Sequence, residues 1–118
     1  MMRCVVIPAD TLVPEIKLLE EPLYKSAGRE VGGYIEVVHP RRLESPFCIL
    51  VNEEGLLQCL EANEVGSYWY GTDLHGCCIV GNIVVMKDGF TDGEPDIVGL
   101  TEDQADYIVK KVKELTKE

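Results

Sequence analysis

Basic residues are scarce in this chain: 11 Lys and Arg stand against 21 Asp and Glu, for a formal net charge of −10. That balance excludes broad, sequence-independent binding to nucleic acid or to an anionic membrane surface, because both need a basic footprint. No apolar run approaches the roughly 18 to 20 residues of a membrane helix. The start, Met1-Met2-Arg3-Cys4-Val5-Val6-Ile7-Pro8, is too short in apolar residues for a secretory segment, so a soluble, cytoplasmic protein is expected. C-x-x-C spacing is missing, and the five cysteines (Cys4, Cys48, Cys59, Cys77, Cys78) are an odd number, which fits reduced thiols better than a disulfide framework. The scattered glycines lack the following Lys and Ser/Thr of a phosphate loop.

At 118 residues the chain is expected to form one domain, residues 1–118, with no linker, repeat or low-complexity segment. Its charge is unevenly placed. Between residues 51 and 100 the only basic residue is Lys87, against nine acids, whereas the two flanking segments are nearly balanced. The acidity therefore lies within the fold and not in a tail.

Periodicity predicts an α+β fold with a mostly antiparallel sheet, a short helix after the first strands and an amphipathic C-terminal helix packed on the sheet. Strands are expected at Cys4–Ile7, Ile16–Leu19 and Tyr34–Val38, where Tyr34, Glu36 and Val38 share one face and Ile35 and Val37 the other. Pro22 suits the start of a helix over Leu23–Ala27 that Gly28 can end. Phe47–Val51, the turn Asn52-Glu53-Glu54-Gly55 and Leu56–Leu60 read as a hairpin. Asn63–Gly71 reads as either a short helix or an aromatic loop. Cys77–Met86 is expected as a long strand interrupted at Gly81-Asn82, Lys87–Pro95 as a polar loop, and Asp96–Val98 as a last strand. Thr101-Glu102-Asp103-Gln104 has the pattern of a capping box, opening a helix over about 101–117 with Ala105, Ile108, Val109, Val112 and Leu115 on its apolar stripe.

Chemistry-bearing clusters are few. His75 and Cys77 would share a face of an extended strand, where a histidine can activate a thiol, but a turn residue before Gly76 is the plainer reading. His39, His75, Cys77 and Cys78 match no zinc spacing, and Asp92-Gly93-Glu94-Pro95-Asp96 lacks the ligand order of a calcium loop. No catalytic residue, metal or cofactor is expected. Asn63–Thr72, with Tyr68, Trp69 and Tyr70, suits stacking on a flat ligand, although a small core would also take one or two of these rings.

The series Val31-Gly32-Gly33-Tyr34-Ile35-Glu36-Val37-Val38, Asn52-Glu53-Glu54-Gly55, Asn63, Tyr70-Gly71-Thr72, and Gly76 with Ile79-Val80-Gly81-Asn82 resembles a domain-of-unknown-function family, number 3846. The resemblance spans about residues 4 to 100. It implies a stand-alone protein of phages, plasmids and related mobile elements, and carries no catalytic residues to transfer. Such a protein is expected to be a non-enzymatic accessory that binds a small host ligand, in particular a nucleotide-type immune signal. The expected liners are Tyr34, Glu36, Asn52, Asn63, Tyr70, Thr72 and Asn82, with Arg41 or Arg42 meeting a phosphate. Two other readings stand beside it. One is an acidic decoy that occupies a host DNA-binding or restriction protein. The other is an oligomeric interaction protein that pairs as a homodimer through an open strand edge.

Overall fold

The computed structural model describes residues 1–117, and the side chain of His75 lies outside the described residues. In chain order the elements are β1 (Met2–Ile7), β2 (Glu15–Leu19), α1 (Leu23–Val31), β3 (Ile35–Val38), β4 (Phe47–Asn52), α2 (Glu64–Tyr70), α3 (Thr72–His75), β5 (Ile83–Thr91), β6 (Glu94–Val98) and α4 (Glu102–Thr116). The strands form one antiparallel sheet in the order β2-β1-β5-β4-β3, and β6 pairs with the distal half of β5. The fold is α+β.

Strand alternation divides the apolar residues between two cores. Val5, Ile7, Ile49, Val51, Ile83 and Val85 face α2 and α4, where they meet Val65, Trp69, Ala105, Ile108 and Val112. Cys4, Val6, Cys48, Leu50, Val84 and Met86 face α1 and meet Ala27 and Val31. Helices on both faces explain why all six residues of β4 are buried. A strand covered on both sides has no solvent face, so it reads as a continuous apolar run.

α4 starts as its sequence predicts. Thr101 Oγ1 accepts from the Gln104 N–H at 3.1 Å, and Gln104 Oε1 accepts from the Thr101 N–H at 2.9 Å. Its stripe is narrower than expected, because Ala105, Ile108 and Val112 are buried while Leu115 is exposed.

Four expectations are corrected. α1 runs through Gly28 to Val31 and ends at Gly32, whose positive φ of 83° allows its N–H to bond back to the Gly28 carbonyl at 2.8 Å. Leu56–Leu60 is a chain of turns and not the second strand of a hairpin. Cys77–Asn82 is not strand either, apart from an isolated bridge between Val80 and Ala62, so β5 begins at Ile83. Lys87–Pro95, expected as a loop, carries β5 to Thr91 and starts β6 at Glu94. Asp92 and Gly93, with φ of 52° and 80°, supply the two-residue turn that matches strand twist.

Candidate binding cleft

Asn52, the last residue of β4, is buried because its side chain satisfies three groups at once. Its Oδ1 accepts from the Glu54 N–H at 2.8 Å, while Nδ2 donates to the Val31 carbonyl and to Gln58 Oε1, both at 3.1 Å. The 53–60 loop is thereby pinned to the C-terminal end of α1. This local capture of the backbone replaces the hairpin that the apolar pattern of Leu56–Leu60 suggested.

On the other side, Asn63 N–H donates to the Ile79 carbonyl at 2.9 Å, and Ser67 Oγ bonds both the carbonyl and the N–H of Ile79 at 3.1 and 3.0 Å. The 77–80 segment is thus laid along α2. A cleft of about 370 Å³ opens between this segment, the 53–60 loop and β3. Its apolar lining includes Val38, Leu56, Leu57, Tyr70 and Val80. Glu36, Glu53 and Glu54 line it as well, with Cys77 and Cys78, and among the described residues no lysine or arginine does.

Glu36, Asn52 and Tyr70 of the expected liners come together here. The remaining residues lie elsewhere. Asn63 is completely buried and caps α2: its Oδ1 accepts from the Gly66 N–H at 2.9 Å, and Nδ2 donates to the Ile7 and Gly81 carbonyls at 2.9 and 3.0 Å. Thr72 Oγ1 donates to the Cys77 carbonyl at 2.6 Å. Asn82 Oδ1 accepts from the Ala9 N–H at 3.1 Å, in a separate depression beside Arg29 and Gly32. Tyr34 is 76% exposed just before β3, outside the lining.

The basic pair is not part of the cleft. Arg41 is exposed, and Arg42 forms a two-pronged ion pair with Asp73 (2.7 and 2.9 Å) and lies over the Tyr68 ring at 4.6 Å. Asp73 pushes the Arg42 pKa up, chiefly through the hydrogen bond between them. The aromatic block is likewise divided: Trp69 fills the core, Tyr68 stays on the surface and Tyr70 faces the cleft.

Residues missed as liners include Glu53, Glu54, Leu56, Leu57, Cys77, Cys78 and Val80. The signals were the Asn-Glu-Glu-Gly turn and the adjacent cysteines, and what hid them was assigning both flanks to strands. In a strand Cys77 and Cys78 would point to opposite faces. Here both lie in irregular chain and both reach the cleft. The pairing of His75 with Cys77 lies outside the described residues, and among those described no cluster of three metal-ligating side chains occurs.

The five thiols separate by environment. Cys4 and Cys48 are buried, and burial pushes each pKa up to about 12, with Glu30 adding to the rise at Cys4 and Asp88 at Cys48. Cys59, Cys77 and Cys78 are exposed. Alkylation of the native protein by iodoacetamide near pH 8, read by intact mass, is expected to add three groups rapidly and five only after unfolding. Raised folded-state values mean that the native protein holds these two protons when the unfolded chain has released them. Stability from Cys4 and Cys48 is therefore full below an ordinary thiol pKa and falls as pH rises from about 9 toward about 12. Urea melts in that window are expected to weaken for the wild type and less so for Cys4→Ala/Cys48→Ala.

A six-stranded antiparallel sheet with helices on both faces and an acid-rimmed cleft beside one outer strand defines a small α+β protein with a formed recess. The family model described as Domain of unknown function (DUF3846) matches residues 2–113, and the chain belongs to that family. No curated protein and no solved structure gives a significant match.

Proposed function

We propose that this chain is a non-enzymatic accessory protein of a phage or other mobile element, and that it binds a host ligand in the cleft beside β3. The observation that carries the reading is the cleft itself. It joins an apolar floor and a tyrosine to three carboxylates, the mixture of greasy surface and few polar groups typical of ligand sites.

Glu36, Glu53 and Glu54, with no cation beside them among the described liners, repel phosphate and favour a neutral or cationic ligand. A nucleotide-type signal is therefore the less favoured occupant. Thermal-shift screening separates the classes: cyclic dinucleotides and ADP-ribose derivatives against nucleosides, polyamines and arginine amides. Neutral or cationic compounds are expected to raise the Tm of the wild type and to lose that effect in Glu36→Lys. They should keep it in Glu94→Lys, which makes the same charge change at the start of β6. A rise with cyclic dinucleotides that Glu36→Lys leaves intact would sink the reading.

A second reading, the acidic decoy, is favoured by one observation: all nine acids between residues 51 and 100 are exposed. Carboxylates on a surface are the requirement for mimicking a phosphate backbone. Pull-downs from host lysate at low salt that recover a restriction or DNA-binding protein would support it.

A further inference from the structure

β3 is the last strand on its side of the sheet, and among the described residues nothing pairs with its outer edge. Its backbone directions follow from its register. The Tyr34 carbonyl accepts from the Glu53 N–H at 2.8 Å, and Glu36 and Val38 stand opposite Val51 and Ile49. In an antiparallel pair, bonded and non-bonded residues alternate, so the N–H and C=O of Ile35 and Val37 point away from β4 into the open edge. The same four-residue strand places Glu36 and Val38 on the cleft wall. A row of unpaired backbone groups thus runs directly beside an acid-rimmed apolar recess.

We infer that the partner is an extended, basic segment of a host protein that adds to the sheet as a strand along β3. This rests on the cleft being the binding site and names the partner for it. An unpaired edge offers main-chain hydrogen bonds to any extended chain, and the pockets beside it choose among side chains. Alternate residues of an added strand project toward the cleft, where Glu36, Glu53 and Glu54 suit Lys or Arg and Leu57, Tyr70 and Val80 suit the apolar part of a long basic side chain. The intervening residues fall on the opposite face, beside exposed Val37. Charge disfavours a second copy, because antiparallel pairing of two β3 edges through Ile35 and Val37 would set the two Glu36 carboxylates opposite each other.

The test uses a short peptide alternating Lys and Val, its fluorescence anisotropy, and amide hydrogen exchange of the full chain. Ile35 and Val37 amides are expected to exchange fast in the free protein and to slow when the peptide is bound. Methylating those peptide amides that face β3 is expected to weaken binding by roughly tenfold or more, since each removes a main-chain donor. Glu36→Lys is expected to weaken it comparably, and Glu94→Lys to leave it unchanged. Equal affinity for the methylated peptide would overturn strand addition while leaving the cleft reading intact. So would failure of the peptide to bind a protein that small neutral or cationic compounds still stabilise. Slow exchange at Ile35 and Val37 in the free protein, together with a dimer by size-exclusion chromatography, would assign the edge to a second copy and equally overturn the proposal. If neither peptide nor small compounds bind, both the cleft and the strand fall together.

Discussion

Replacing Asn63 with alanine is expected to destabilise the protein by about 3–5 kcal/mol, measured by urea unfolding. The side chain is 0% exposed and satisfies three backbone groups: the Gly66 N–H at the start of α2 and the Ile7 and Gly81 carbonyls. Removing it costs the helix cap, about 1 kcal/mol, and leaves two carbonyls without a donor in a site that water does not reach. Those carbonyls belong to the end of β1 and to the turn before β5, so one amide holds together two strands and a helix. Asn63→Asp keeps the oxygen that caps the helix and loses both donors, and is expected to retain most of the loss. A cost below about 1 kcal/mol for Asn63→Ala would mean that solvent replaces these bonds and that the residue is not the clamp described. Its part in folding keeps it out of the cleft lining.

Trp69→Ala is expected to cost a comparable amount, about 3–5 kcal/mol. The indole is 1% exposed and packs in the cluster that includes Leu43, Val65, Ile79 and Ile108, between the sheet and α4. Its removal leaves a cavity too apolar for water, and the surrounding strands cannot collapse into it without losing register. Because Trp69 is the only tryptophan, unfolding of the variant is followed by far-UV circular dichroism and not by intrinsic fluorescence. Trp69→Phe, which keeps a ring in the space, is expected to recover much of the loss. An unchanged midpoint for Trp69→Ala would return the ring to the candidate ligand contacts. Against a typical domain stability of about 5–15 kcal/mol, either alanine variant approaches the point of unfolding.

Both predictions concern the 63–72 block, where the helical alternative holds over Glu64–Tyr70 and Trp69 goes to the core and Tyr70 to the cleft. Asn, Trp and Tyr beside glycines have the composition of a binding loop, but composition is blind to burial. Asn63 precedes Glu64 and Val65, which is the local signature of a helix cap, and reading it that way would have taken it out of the pocket. Asn52 has the same side chain and ends up at the cleft, because it closes a strand next to the loop that it pins.

The clearest parts of the fold were those governed by short-range rules. The capping box at Thr101 and Gln104, the apolar run of β4 and the alternation through β3 all depend on neighbours a few residues away. Leu56–Leu60 was misleading for the opposite reason: its apolar pattern favours a strand, but Asn52 diverts the backbone into turns. The distal half of β5 was hidden because Lys87, Asp88 and Thr91 lie beyond the cover of α1, so no hydrophobic alternation marks it. The Asp92-Gly93 turn was its one local sign. As for the site, Glu36, Asn52 and Tyr70 were legible as chemistry, but their convergence depends on a loop and an irregular segment with no period to read.

The central claim is that ligand enters the acid-rimmed cleft beside β3, and two of the protein's own thiols report on it. Cys77 and Cys78 line the cleft, whereas Cys59 is exposed outside the lining. The decisive measurement is the rate of N-ethylmaleimide addition at each of these three residues, by peptide mass spectrometry, with and without a saturating polyamine or nucleoside. Slower modification of Cys77 and Cys78 with Cys59 unchanged is the predicted result. Unchanged rates at Cys77 and Cys78, for a compound that raises the Tm, would place binding elsewhere and contradict the account.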